Sequence, residues 1–255
     1  WFYQDSVEEL RKIFNRLTLI MEGEAAIRFI DPVVFSICLP LWDTDGDGYI
    51  SEAEAKVVRR LTQGAFNNQE GIISLDDLDK LAGYIYHAGN FNNIPNLITA
   101  TTGLKIDLTS GLPETSNASY ANCPKLERIK INAIITSISN GSFKNDVSLR
   151  TVIFGGNETM IGNEAFMGCT SLSHITLPVN LTELSYGSFR NCSALDEINL
   201  SNLSILGAAC FSGCNSLNID VNIPNAKGEI SQVFSSSGIA VSYTHLRAHE
   251  TTLHL

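Results

Sequence analysis

The apolar positions of this chain follow two different rulers. Over residues 6–28, Leu10, Ile13, Phe14, Leu17, Ile20 and Met21 recur at intervals of three and four, which describes one apolar face of a helix. Ser6 is placed to cap it, and Glu8 and Glu9 stand in the first turn, where the helix dipole favours acid. Asp31-Pro32 predicts a second, short helix with an acidic cap and a proline at its first position, with Cys38 among apolar neighbours. A third helix is expected from about residue 51 to 61, burying Val57, Val58 and Leu61, and a fourth over residues 78–86.

The second ruler is longer. Phe143, Phe166, Phe189, Phe211 and Phe234 are 23, 23, 22 and 23 residues apart, and one step back from Phe143 lies Tyr120. Cys123, Asp146, Cys169, Cys192, Cys214 and Ser237 follow three residues after these aromatics, and Leu126, Leu149, Leu172, Leu195 and Leu217 follow six after. Ile129, Val152, Ile175 and Ile198 come nine after, with Ile131, Phe154, Leu177 and Leu200 at eleven. A unit of this length cannot bury its apolar face alone, so successive units must stack into a solenoid of leucine-rich repeats. Leu-x-x-Ile-x-Leu is its short strand, and neighbouring strands should form a parallel sheet with a spacing of about 4.8 Å. Phe91, Ile94 and Leu97 repeat the spacing, so the solenoid is expected to begin there, with an irregular first turn reaching Tyr120.

The repeats resemble the BspA-type leucine-rich repeats over about residues 115–240. Asn163-Glu-Ala-Phe166-Met-Gly-Cys169-Thr-Ser-Leu172-Ser-His-Ile175-Thr-Leu177-Pro178 is similar to that family's consensus. The resemblance implies a secreted or surface-displayed protein with a role in adhesion. Two turns depart from the pattern. Val221 and Ile223 fit the strand only after a one-residue insertion, and Asp146 replaces a core cysteine, so these turns are expected to loosen.

One segment of the helical part carries recognisable chemistry. Asp43-Thr-Asp45-Gly-Asp47-Gly48-Tyr49-Ile50-Ser51-Glu-Ala-Glu54 fills every position of an EF-hand calcium loop. Asp43, Asp45 and Asp47 supply side-chain oxygens, Gly48 makes the turn, Tyr49 offers its carbonyl, Ser51 can hold a water, and Glu54 can chelate with both oxygens. Four carboxylates this close repel one another unless a cation sits between them, and the expected cofactor is Ca2+. Residues 66–77 align with this loop at Gly71, Ile73 and Ser74, but Phe66 stands where the first ligand should be. They read as a degenerate partner loop that pairs Ile73 with Ile50, or else as a simple loop and helix.

The fold expected is therefore α+β: a helical EF-hand-like module over residues 1–90, capping a leucine-rich solenoid over residues 91–240. Val241-Ser-Tyr-Thr-His245-Leu-Arg-Ala-His249-Glu-Thr251 reads like a sequencing-library adapter translated in one frame, so residues 241–255 are set aside as a non-native tail. The start at Trp1-Phe2-Tyr3, without a methionine, reads as a piece of a longer protein.

Composition narrows the function. A net charge of −10 disfavours nucleic acid or anionic lipid as partners, and no apolar run is long enough to cross a bilayer. No nucleophile–base pair, phosphate loop or His-Glu-x-x-His motif stands in the chain, which argues against an enzyme. The repeated cysteines read as a reduced core ladder, since buried cysteine behaves as a small apolar residue. Strand residues flanking the central Ile or Val should face outward: Arg128 and Lys130, Thr151 and Ile153, His174 and Thr176, Glu197 and Asn199. This stripe, basic at one end and acidic at the other, suits a host or matrix protein or a glycan. A non-catalytic appendage of a larger extracellular enzyme and a calcium-sensing interaction protein are the alternatives.

Overall fold

A computed structural model describes residues 26–57, 64–76, 78, 91–102, 120–131, 135–218 and 233–234. Of the helix expected over residues 6–28, residues 6–25 lie outside the described residues, as do most of that over 78–86, Val58, Leu61, Val221, Ile223 and the tail; residues 26–28 are not helical, Ala26 forming a bridge with Ser51.

Helix α1 (Pro32–Trp42) begins where expected. Asp31 caps it, its Oδ1 accepting the N–H groups of Val33 and Val34 at 2.9 and 3.2 Å. Val34, Cys38 and Trp42, four residues apart, form its buried face. Helix α2 (Glu52–Val57) opens on a capping box. Glu54 N–H donates to Ser51 Oγ at 3.2 Å, and Ser51 N–H donates back to Glu54 Oε2 at 2.9 Å. Its buried residue is Ala55; Val57, expected in the core, is 59% exposed. The short helix turns Ala55 inward, which leaves position 57 on the solvent side.

The turns of the solenoid contribute strands to two parallel sheets. The first contains β1 (Ser74–Leu75), β2 (Thr99–Thr102), β3 (Arg128–Ile131) and β5 (Thr151–Ile153), in that order. Leu75, Ala100, Ile129 and Val152 lie in register across it. The second contains the two-residue strands β4 (Ser137–Ile138), β6 (Met160–Ile161), β7 (Glu183–Leu184) and β8 (Ile205–Leu206). Its inward residues, Ile138, Ile161, Leu184 and Leu206, are the apolar positions five residues before each aromatic.

Between the sheets the aromatics stack. Phe66, Phe91, Tyr120, Phe143, Phe166, Phe189, Phe211 and Phe234 form one file, with consecutive ring centroids 5.0–5.9 Å apart and planes within 24° of parallel. The file begins one turn earlier than the sequence suggested. Residues 66–75 form a repeat, with Phe66, Ile72 and Leu75 buried at the aromatic, plus-six and plus-nine positions. The pairing expected between Ile50 and Ile73 is therefore not formed. Ile98 N–H donates to Ile73 O, whereas Ile50 O accepts from Ile27 N–H and Ser51 bridges Ala26 in antiparallel sense. Phe66 explains the correction. A ring that is useless as a metal ligand stacks on Phe91, and burying it in the aromatic file outweighs any pairing of the loops.

The residue two after each aromatic from Phe66 to Phe211 is Asn or Gly with φ near +60 to +80°: Asn68, Asn93, Asn122, Asn145, Gly168, Asn191 and Gly213. Its N–H donates to the next turn, as in Asn122 to Lys144 O and Asn145 to Met167 O. The amides also form a ladder, Asn145 Nδ2 donating to Asn122 Oδ1 and Asn122 Nδ2 to Asn93 Oδ1.

The six cysteines, all buried, are free thiols. Four of them, Cys123, Cys169, Cys192 and Cys214, donate from Sγ to the carbonyl of the aromatic one turn back, at 3.0–3.3 Å. Burial pushes the thiols of Cys123, Cys210 and Cys214 up to about 12, which leaves them protonated donors at neutral pH. Asp146 takes the fifth place in this row without loosening its turn. Its N–H donates to Phe143 O and its carbonyl accepts from Leu149 N–H, as in the cysteine turns.

Candidate functional site

The acidic loop joins α1 to α2 and is built largely by its own carboxylates. Asp43, at the C-terminal end of α1, accepts Gly46 N–H and Asp47 N–H on Oδ1 and Gly48 N–H on Oδ2. Asp45 accepts from Asp47 N–H, and Asp47 from Tyr49 N–H. Gly48, at φ +87°, takes a conformation that other residues rarely adopt. Oxygens of Asp43, Asp45 and Asp47 all lie within 4.8 Å of one another. Glu54 does not join that group. Its Oε1 accepts from Thr44 N–H and Thr44 Oγ1 at 2.6 and 2.8 Å, and its Oε2 from Ser51 N–H and Oγ, so it ties the start of the loop to its end.

The charges of the loop feel one another. Burial pushes the Asp47 carboxyl up, Tyr49 N–H opposes this, and the charges of Asp45, Asp43 and Glu54 push it further up. Burial acts on Glu54 in the same sense, but hydrogen bonds from Ser51 and Thr44 outweigh it and hold its carboxyl below the usual range. The donor set is all oxygen with several carboxylates, which fits a hard cation such as Ca2+. Asp43, Asp45 and Asp47 are the residues placed to hold such an ion, with Ser51 and Glu54 held at the edge of the loop.

The second candidate is the outer face of the first sheet. Lys130, Thr151, Ile153, His174, Thr176, Glu197 and Asn199 are exposed there, and Arg128 is half-buried. Arg128 lies in register with Thr151, Lys130 with Ile153, and His174 forms a bridge with Glu197. The early turns continue the same strand positions with Ser74, Asp76 and Thr99, half-buried, and Thr101, buried. Sequence spacing missed these because Gly71 had been aligned with Gly48. Had Phe66, Ile72 and Leu75 been tested against the repeat, they would have shown it. Asp76 changes the charge of the basic end: its Oδ2 lies 3.3 Å from Arg128 Nη2, and its Oδ1 accepts from Thr101 Oγ1 at 2.9 Å. Lys130 then stands as the exposed cation of that end.

A parallel sheet on one side of a stacked 23-residue unit, an aromatic file and a cysteine row together describe a leucine-rich solenoid. The model of the BspA type leucine rich repeat region matches residues 113–240, half of the chain, in six copies. The chain belongs to the BspA-type leucine-rich repeat family. Among solved structures, this BspA-type chain is similar to a leucine-rich repeat protein from Bacteroides ovatus, at 25% identity and a TM-score of 0.51 over 63% of this chain and 39% of that one. It is also similar to a leucine-rich repeat protein of T. pallidum, at 20% identity, a TM-score of 0.41 and coverage of 63% and 61%. A leucine-rich cell surface protein from Faecalibacterium prausnitzii matches at 24% identity, a TM-score of 0.38 and coverage of 58% and 35%. The BspA-type chain thus spans about two fifths of the length of the B. ovatus protein. No curated protein matches it. Among the described residues, no helix is long and apolar enough to cross a membrane.

Proposed function

We propose that this chain is a calcium-stabilised, non-catalytic binding module, secreted or displayed at the cell surface, that presents the outer face of its first sheet to a protein or glycan. The observation that carries this reading is the row of outward side chains from Arg128 and Lys130 to Glu197 and Asn199, two per turn over four turns. Such a row offers an extended surface on a stacked frame. Family membership supports the extracellular location.

Calcium enters as a structural ion. The loop lies between α1 and α2, and α1 is tied at its other end to the first strand of the solenoid, so an ion there would brace the cap. The test is a binding screen against matrix proteins and glycans, with and without calcium, using wild type and the pair Thr151→Arg and Thr176→Arg. A partner is expected whose binding both arginine variants weaken, since each places a long charged side chain in the middle of the stripe. A partner indifferent to both would remove the strand face as the binding surface.

A further inference from the structure

The outer face is not uniform along its length. The ladder of the first sheet ends at β5, and the strand positions of the next two turns meet only in the bridge between His174 and Glu197. A recess of about 120 Å³ opens there. Its rim carries Glu197, Asn199, Asn202 and Thr176, while Leu181 and Leu203, both buried, form its floor.

The chemistry of the recess selects a ligand class. Its fixed charge is one carboxylate, and the amide and hydroxyl oxygens beside it add acceptors. Among the described residues, no lysine or arginine pairs with Glu197. Asp196, the next residue along, is exposed as well, and the chain carries a net charge of −10, so the field over the recess favours a cation. A single carboxylate is too little for a bare divalent ion. His174 supplies the one ring of the lining, and its Nε2 lies 3.4 Å from Thr176 Oγ1, so a sugar finds no Phe, Tyr or Trp face to stack on. A guanidinium brings five donors and no acceptor, and its methylene stem would lie against the leucine floor.

We propose that this recess receives an arginine side chain of a protein partner, with Glu197 pairing with the guanidinium. The proposal rests on the reading that the strand face is the binding surface, and it names the partner as a protein with a protruding arginine. The test is amide NMR of the full chain titrated with N-acetylarginine amide, the uncharged N-acetylcitrulline amide and methyl glucoside. The arginine probe should give saturable shifts confined to residues 174–178 and 197–203, with citrulline weaker by about tenfold or more, as expected for loss of a charged hydrogen-bond partner. Glu197→Gln, a change at an exposed position, should weaken the arginine probe to the same degree, and Lys56→Gln, at an exposed position on α2, should leave it unchanged. Citrulline equal to arginine, shifts from the glucoside alone, no shifts at these residues, or an unchanged Glu197→Gln would each overturn the proposal. If the matrix screen finds a strand-face partner while the arginine probe fails, only this proposal falls; if both fail, the binding reading falls too.

Discussion

Asp31 Oδ2 accepts the backbone N–H of Ser74 at 3.1 Å, although 43 residues separate them. The same oxygen accepts Ile73 N–H at 2.7 Å, while Oδ1 caps α1. One buried carboxylate therefore satisfies donors of a helix start and of the first strand of the solenoid. An outermost strand would otherwise present unpaired N–H groups to water or to another chain. The approach is close: a Cβ on Gly71 would lie 2.8 Å from Val33 Cγ2, so α1 rests directly on the first turn.

Replacing Asp31 should therefore do more than remove a cap. Loss of an N-cap costs about 1 kcal/mol, and the part-buried N–H groups of Ile73 and Ser74 each lose a hydrogen bond to a charged acceptor, about 0.5–1.5 kcal/mol where water can replace it. Asp31→Ala is expected to lower stability by roughly 2 kcal/mol or more on that basis, with faster amide exchange at Ile73 and Ser74. Asp31→Asn, which keeps one acceptor oxygen, should fall between it and wild type. Unchanged exchange at both amides would show that the strand edge is held by other contacts.

Glu54 has two separable roles, one in the loop and one toward an ion. Because it clamps Thr44 and Ser51, Glu54→Ala should lower the melting temperature in chelator as well as in calcium. Asp45→Asn preserves an acceptor for Asp47 N–H and should remove only the increment that calcium gives. That increment is about 2.7 kcal/mol for wild type at a hundredfold excess over Kd. Thermal melts of both variants with and without chelator check the distinction, and equal melting of wild type in the two conditions would exclude a structural ion.

Asp146 predicts an unusual pH dependence. Its Oδ1 accepts Cys123 N–H at 2.7 Å, while Oδ2 is buried without a hydrogen-bond partner. Burial pushes the carboxyl well above the ordinary range, with the Cys123 N–H acting the other way. A carboxyl whose folded pKa is raised stabilises the fold fully below its unfolded value, near 3.9. That contribution is then lost as pH climbs toward the folded value, at about 1.4 kcal/mol per unit. Denaturation at several pH values should show stability falling from about pH 4 upward. Asp146→Cys, which restores a neutral donor to the row, should flatten the slope; an identical slope in the variant would assign the effect to other groups.

Two left-handed positions should respond in opposite ways. Ala209 has φ +56° two residues before Phe211, where Gly141 and Gly187 occupy the equivalent place in other turns. Ala209→Gly relieves backbone strain and should raise stability by about 0.5–1 kcal/mol. Gly213, at φ +78°, lies against Asn191, and a Cβ there would sit 2.4 Å from Asn191 Oδ1. Gly213→Ala should be destabilising by more than Ala209→Gly gains, a comparison that chemical denaturation of the two variants makes directly.

The repeat was legible because stacking repeats its demands. Every turn needs a ring, a small donor, a leucine and a strand at the same offsets, so the spacing of Phe143, Phe166 and Phe189 announces the solenoid without any structure. The second sheet was half visible, as the inward positions Ile138, Ile161, Leu184 and Leu206. The acidic loop was legible too, because Asp43, Asp45, Asp47 and Gly48 act through contacts within five residues of one another. Local chemistry of that kind is written in local sequence.

What the sequence left open depends on contacts between distant residues. The insertions between Phe66, Phe91 and Tyr120 break the 23-residue step to 25 and 29, which hides Phe66 from the aromatic spacing although Ile72 and Leu75 keep the offsets of the repeat; stacking of the rings joins it to the file. Asp31 looked like a helix cap and nothing more; its second oxygen finds Ile73 and Ser74 only once α1 lies on the first turn. Arg128 looked like a free cation until β1 and β2 brought Asp76 to it across two strands. Periodicity determines which side chains point inward. Which polar groups then meet is decided by the tertiary structure, because a buried N–H or charge takes its partner from whatever element packs beside it.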